Sequence, residues 1–402
     1  MTTEERIETT EIRAGRVLAL LSFICFILNG VWVRSEFLVL LAGVLGVGAL
    51  IVCLPRWVNF PFHLKIMLGI LFAGIFLVSY KALQMPVAFT FLVSAPAAIA
   101  IVLYIEAFPR LFQVRMILYG LLTYVLLSLA IGVSAEEIVA GSRNQVSVVL
   151  VSFGALALAL DSRKSDLALT ILIFVACVLS VGSSGILASA ILVLASLFRQ
   201  NQPLYVRVLI FGGLFLMFIG FEVYLEYYAP QDLRMKFSYD RLTATDVRFQ
   251  IIDEYIKRYT SGQYLWLGAP DAYDFYVYSD TSSGGIWSYV TSLHNSYLSI
   301  HAKLGMLALP VYLLIAHAVW CLRKSLYLLL LFLAVLVRAF GDSAFILDGH
   351  LNFCFFFFFL LASRARLENE QRGDPQFAEY AHAPVQYPEV AAVRASAGSP
   401  HG

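Results

Sequence analysis

His294 and Asn295 open the run HNSYLSIHAKLGMLALP, which passes within a few residues from polar, titratable side chains into an apolar stretch. An imidazole at such a mouth can move protons near neutral pH; the competing reading is an interfacial cap. His301, one or two turns deeper, reads as a satisfied core residue, and Gly305 on the same run lets another helix approach closely. Upstream, TDVRFQIIDEYIKRYTSG reads as a helix: Thr245 or Asp246 can cap it, Ile252, Tyr255, Ile256 and Tyr259 make an apolar stripe, and Gly262 suits its end. Arg248 then falls in the first turn. Open backbone N–H groups, the positive end of the helix dipole and a guanidinium converge there into a site suited to phosphate. Pairing with Asp246 or with lipid headgroups is the alternative for Arg248.

These residues need elements to hold them, and the composition says which kind. Of 402 residues, 60% are hydrophobic and 14% charged, against about 45–50% apolar in soluble domains. This is the composition of a polytopic membrane protein. The N-terminal arm carries acids as well as arginines, and the first apolar run has no small-residue cleavage site, so that run is expected to stay as a span. The five cysteines (Cys25, Cys53, Cys177, Cys321, Cys354) lie in or beside apolar runs and read as small core residues, with no metal-type spacing among them. No metal ligand set, cofactor or nucleic-acid partner is expected.

A spanning length of ~20 apolar residues gives candidate spans near 17–33, 37–54, 65–83, 87–108, 113–133, 145–160, 167–181, 186–198, 206–228, 296–321, 325–345 and 350–363. The seventh and eighth could be one helix broken at Gly182–Gly185. Read as a hairpin, they keep Arg163 and Lys164 on the same face as Arg199 and Arg207, as the positive-inside rule prefers. With twelve spans, these four join Arg56, Lys65, Arg110, Arg115, Arg323, Lys324, Arg364 and Arg366 beside one face, the expected cytoplasmic one. The expected fold is an all-α polytopic protein of about twelve transmembrane helices, with a cytoplasmic arm over 1–16, a membrane domain over 17–364 and a disordered tail over 365–402. One long outer loop, about 229–293, holds a short helix; its length marks it as functional. Few cations lie outside besides that loop's own: Arg34, Lys81, Arg143, Lys303 and Arg338. Arg338, inside the eleventh span, costs at least ~2.5 kcal/mol near the bilayer centre and less toward the interface, which makes it a functional candidate. Snorkelling outward beside Asp342 is its alternative.

The pattern from Arg143 onward resembles the O-antigen ligase and polymerase (Wzy/WaaL-like) superfamily of integral membrane glycosyltransferases. Its ligases show His, then Asn, Ser or Gln, nine residues, Gly, two more, and Gly, Thr or Tyr; here these are His294, Asn295, Gly305 and, departing at the last place, Ala308. An arginine at the start of a periplasmic helix and a Gly turn before the histidine also resemble the family, as Arg248 and LWLGAP (Leu265 to Pro270). The family's Ser-Arg-Gly turn stands here as Ser183-Ser184-Gly185, so one arginine is missing, and Arg143 or Arg338 is the candidate to replace it.

The resemblance implies a GT-C-like fold in the bacterial inner membrane, with the active site facing the periplasm. It also implies a glycan on undecaprenyl diphosphate as donor, with arginines and the serines at 183 and 184 holding the diphosphate. His294 would orient or deprotonate the acceptor hydroxyl, with Asn295 as an aid. The absence of any Asp-x-Asp motif agrees with a metal-independent reaction. Tyr264, Trp266, Tyr273, Tyr276 and Trp287 could stack on sugars or form an interfacial belt. Membrane lipid and a chain-length regulator are the further partners to expect. Polymerisation of lipid-linked repeat units is preferred over ligation to a lipid A core because of Ala308 and the missing arginine. A lipid or solute transporter is the reading from another class, and an enzyme with Glu36 as base is a further one.

Overall fold

The computed structural model describes residues 3–33, 35–53, 60–82, 87–139, 143–161, 166–180, 183–199, 247–269, 275–281, 284–290, 293, 295–341 and 351–373. The apolar runs form the helices α1 (Thr3–Val31), α2 (Glu36–Cys53), α3 (Phe62–Ala82), α4 (Val87–Ala107), α5 (Pro109–Phe112), α6 (Val114–Ala130), α7 (Ala135–Ile138), α8 (Arg143–Leu160), α9 (Asp166–Leu179) and α10 (Ser183–Arg199). After the long loop come α13 (Ser296–Leu304), α14 (Ala308–Leu322), α15 (Leu326–Phe340) and α16 (Asn352–Gly373). The loop itself contributes α11 (Val247–Tyr259) and α12 (Gly262–Leu267). It also holds an antiparallel hairpin of β1 (Phe275–Thr281) and β2 (Gly284–Val290). Among the described residues that hairpin is the one departure from a helical chain.

Among the described residues, four helical stretches are long and apolar enough to cross a membrane: Arg13–Val31, Glu36–Cys53, Pro109–Ala130 and Ser296–Leu322. Shorter apolar helices accompany them, among them Asn144–Leu160, Ser184–Arg199 and Leu326–Phe340. The expected span at 206–228 lies outside the described residues. The pair read as a hairpin does fold back: Thr170 near the start of α9 meets Ser196 near the end of α10, Oγ1 to Oγ, at 3.4 Å. Helix α1 runs from Thr3 into the first expected span without a break. At the other end α16 continues to Gly373, nine residues past the expected limit of the membrane domain.

A helix apolar on every side belongs in the middle of a bundle, and α16 is that helix. Phe353, Phe355, Phe356, Phe357, Phe358 and Phe359 are all buried. Phe23 of α1 packs edge-on to Phe353 and Phe112, each at 5.2 Å between centroids, a geometry that matches the positive ring edge to the negative face.

The polar contacts sort to the two ends of α8. At its C-terminal end, Arg115 donates to the Asp166 carboxylate at 2.7 Å and to the Asp161 carbonyl. Arg199 reaches the Leu158 carbonyl at 3.3 Å and lies over the Tyr327 ring, whose hydroxyl also donates to Leu158. Arg364 pairs with Glu106 at the end of α4, which α5 connects to the start of α6 and its Arg115. Cations assigned in sequence to one face thus gather at one end of the bundle. The N-terminal end of α8, about 24 Å away at 1.5 Å per residue, holds Arg338.

Candidate active site

Arg338 sits in the last turn of α15 and is fully buried. Its Nη1 donates to Ser184 Oγ at 3.0 Å and its Nη2 to the Asn144 carbonyl at 2.9 Å. Ser184 is the place where the family pattern has an arginine, and Asn144 follows Arg143, so the guanidinium joins the two loci singled out in the sequence. Snorkelling does not describe it, since the side chain is enclosed by protein; Asp342 lies outside the described residues. The close approach has a local cause at Gly185, where a Cβ would collide with the Ser147 side chain. Without one, the heads of α8 and α10 come together beside Arg338.

Two residues before Arg338, the Leu336 carbonyl accepts a hydrogen bond from Tyr297 in the first turn of α13, at 2.9 Å. That bond brings the head of α13, with Asn295, to the same end of the bundle. Asn295 is the N-cap of α13: its Oδ1 accepts from the amides of Tyr297 at 2.9 Å and Leu298 at 3.1 Å. Its side-chain oxygen is therefore engaged in capping. His294 lies outside the described residues, but its two neighbours are fixed: Leu293 and Asn295 are both buried.

Leu293 is buried in one apolar cluster with Ile251 and Tyr255 of α11, Ala269, and Ala302 of α13. This cluster docks the loop helix on the mouth. The docking face includes Ile251 and Tyr255, while Ile256 of the expected stripe is exposed. Position 248 lies in the first turn of α11, three and seven residues before Ile251 and Tyr255. Thr245 and Asp246 lie outside the described residues. His301 is held as expected of a core residue: Tyr255 Oη lies 2.8 Å from its Nδ1 and the Leu265 carbonyl 3.3 Å from its Nε2.

Gly305 does more than let a helix approach. The expected continuous span over 296–321 breaks there, with φ +54° and ψ −129° and a 3-10 turn over Gly305–Leu307. A Cβ at Gly305 would collide with the Trp266 carbonyl, and one at Gly268, φ +77°, with the carbonyls of His301 and Ala302. The two glycines of the LWLGAP turn and the histidine motif are thus a single close contact between loop and span, available only without side chains. Register pairs Tyr276 with Tyr289 and Tyr278 with Trp287. Tyr264 packs edge-on to Tyr259, and Trp266 is exposed; Tyr273 lies outside the described residues. Glu36, the alternative base, is exposed at the head of α2.

The structure thus joins one buried arginine to the heads of α8 and α10, and docks α11 at the mouth of α13. Such an arrangement suits an anion with several oxygens. No family model, curated protein or solved structure matches the chain.

Proposed function

We propose that the chain is a membrane glycosyltransferase that polymerises oligosaccharide repeat units carried on undecaprenyl diphosphate, at the periplasmic face of a bacterial inner membrane. The observation that carries the reading is the meeting of Arg338 with Ser184 and the Asn144 carbonyl, at the end of the bundle where α13 begins. In this reading an acceptor hydroxyl oxygen attacks the anomeric carbon of the donor. The bond from that carbon to the diphosphate oxygen breaks, and its electron pair leaves with the diphosphate. Arg338, Arg248, the Ser184 hydroxyl and the helix heads would offset the charge that develops on the leaving group. His294 would take the acceptor proton, while Asn295, by capping α13, fixes the backbone that carries it.

Arg248 tests the reading through polymer formation from purified lipid-linked substrate. Arg248→Ala is expected to abolish product while the protein keeps its elution profile in detergent. Arg248→Lys should recover little, because a compact ammonium cannot make a two-pronged contact with phosphate. Full activity of the lysine variant would reduce Arg248 to a generic surface charge. Transfer to a lipid A core acceptor without chain growth would favour ligation instead.

A further inference from the structure

At the bundle end opposite the candidate active site, His63, His317 and Cys321 bring ligand atoms within 4.8 Å of one another. His63 lies in the first turn of α3 and is fully buried; His317 and Cys321 are one turn apart on α14. His63 Nε2 is 2.9 Å from His317 Nδ1, and Cys321 Sγ is 3.8 Å from either nitrogen of His317.

The tautomer of His63 follows from its partner on α16. Ser363 donates its one hydroxyl proton to the Phe359 carbonyl at 2.8 Å, so its oxygen can only accept from the His63 ring. His63 Nδ1, 2.9 Å from that oxygen, therefore carries the proton, and Nε2 turns a lone pair toward His317 and Cys321. An outer hydrogen bond that fixes one ring nitrogen and exposes the other as a donor pair is how metal-binding imidazoles are oriented.

We infer that His63, His317 and Cys321 form a binding site for a borderline divalent cation of the zinc class, closed by one water. Two imidazoles and a thiolate suit Zn2+ and its analogues, whereas Ca2+ and Mg2+ require oxygen ligands. A tetrahedral ion with bonds of about 2.0 Å to nitrogen and 2.3 Å to sulfur separates its ligands by roughly 3.3–3.6 Å. The observed 2.9 and 3.8 Å differ from that by a few tenths of an ångström, a shift that side-chain rotation supplies. The Cys321 thiolate would offset one of the cation's two charges, which matters beside Arg366, whose guanidinium lies 3.9 Å from the Phe62 ring centre. The bound ion would tie α3 to α14, and through Ser363 to α16, far from the glycosyl-transfer site.

The test uses the full chain purified in detergent without a histidine tag, stripped with chelator and titrated with Co2+. One equivalent should bind per chain, with a sulfur-to-cobalt charge-transfer band that Zn2+ abolishes. Cys321→Ser should lose the band and His317→Gln should weaken binding at least tenfold, while Cys354→Ser keeps both. Ser363→Ala should weaken binding about 10–100-fold by releasing His63. X-ray absorption of the zinc-loaded unmodified protein serves where a variant does not fold, and should show nitrogen and sulfur in the first shell. An all-oxygen shell, the absence of stoichiometric Co2+, or a band that survives in Cys321→Ser would overturn the site.

Discussion

Arg338 and Ser184 are 154 residues apart and touch through one hydrogen bond. If that guanidinium offsets charge on a leaving diphosphate, Arg338→Gln should lower turnover by about 10²–10³-fold, the 2.7–4 kcal/mol of a lost transition-state donor. The geometry permits a sharper experiment, because a cation can be returned to the same locus from the facing helix. The exchange Arg338→Ser with Ser184→Arg is expected to recover part of the loss, measured as polymer length and rate with purified lipid-linked substrate. Equal inactivity of the exchange and of Arg338→Gln, in protein with unchanged thermal unfolding, would show that the charge acts only from α15. Arg338 was legible in sequence because its burial cost marks it, and the Ser184 locus because the family pattern has an arginine there; the hydrogen bond between them was not, because a hydroxyl on another helix leaves no local signal. The same holds for His63 and His317, 254 residues apart; the four-residue spacing of His317 and Cys321 was the signal present, and a reading of cysteine spacing alone passed over it.

The mouth depends on two short elements meeting through glycine. Gly305→Ala would put a side chain at φ +54° and into the Trp266 carbonyl, and backbone strain of that kind costs on the order of 1–3 kcal/mol before any collision. The expected outcome is release of the loop from the span, measured as faster proteolysis within 247–290 and loss of activity. Unchanged proteolysis would mean that the loop is held by the Tyr255 and His301 contact instead. Here the sequence was partly legible. The helix over 247–259 was legible from its helical periodicity, yet the docking face is set by Ile251 and Tyr255 while Ile256 is exposed, and Gly262 opens α12. Periodicity alone cannot decide which of two adjacent apolar rows meets the core. The hairpin FYVYSDTSSGGIWSYV carried alternation around a Ser-Ser-Gly turn, a strand signal obscured by the overall helical composition.

The bundle has two chemically distinct ends, and sidedness is the claim that joins them to a cell. Arg115, Arg199 and Arg364 gather at the end opposite Arg338; in the proposed reading the positive-inside rule makes their end cytoplasmic. A cysteine introduced at Ser282 should accordingly be labelled from outside in intact cells, and one at Ser396 should not. Labelling at Ser396 would invert the account. The most direct test of the central claim is chain growth by the purified protein from a synthetic repeat unit on undecaprenyl diphosphate, in detergent. The unmodified chain should give a ladder of longer lipid-linked glycans, and His294→Gln should give none, because an amide keeps a hydrogen bond but takes no proton at neutral pH. A ladder from His294→Gln equal to that of the unmodified chain would contradict proton transfer at His294, and no ladder from either would contradict the polymerase reading itself.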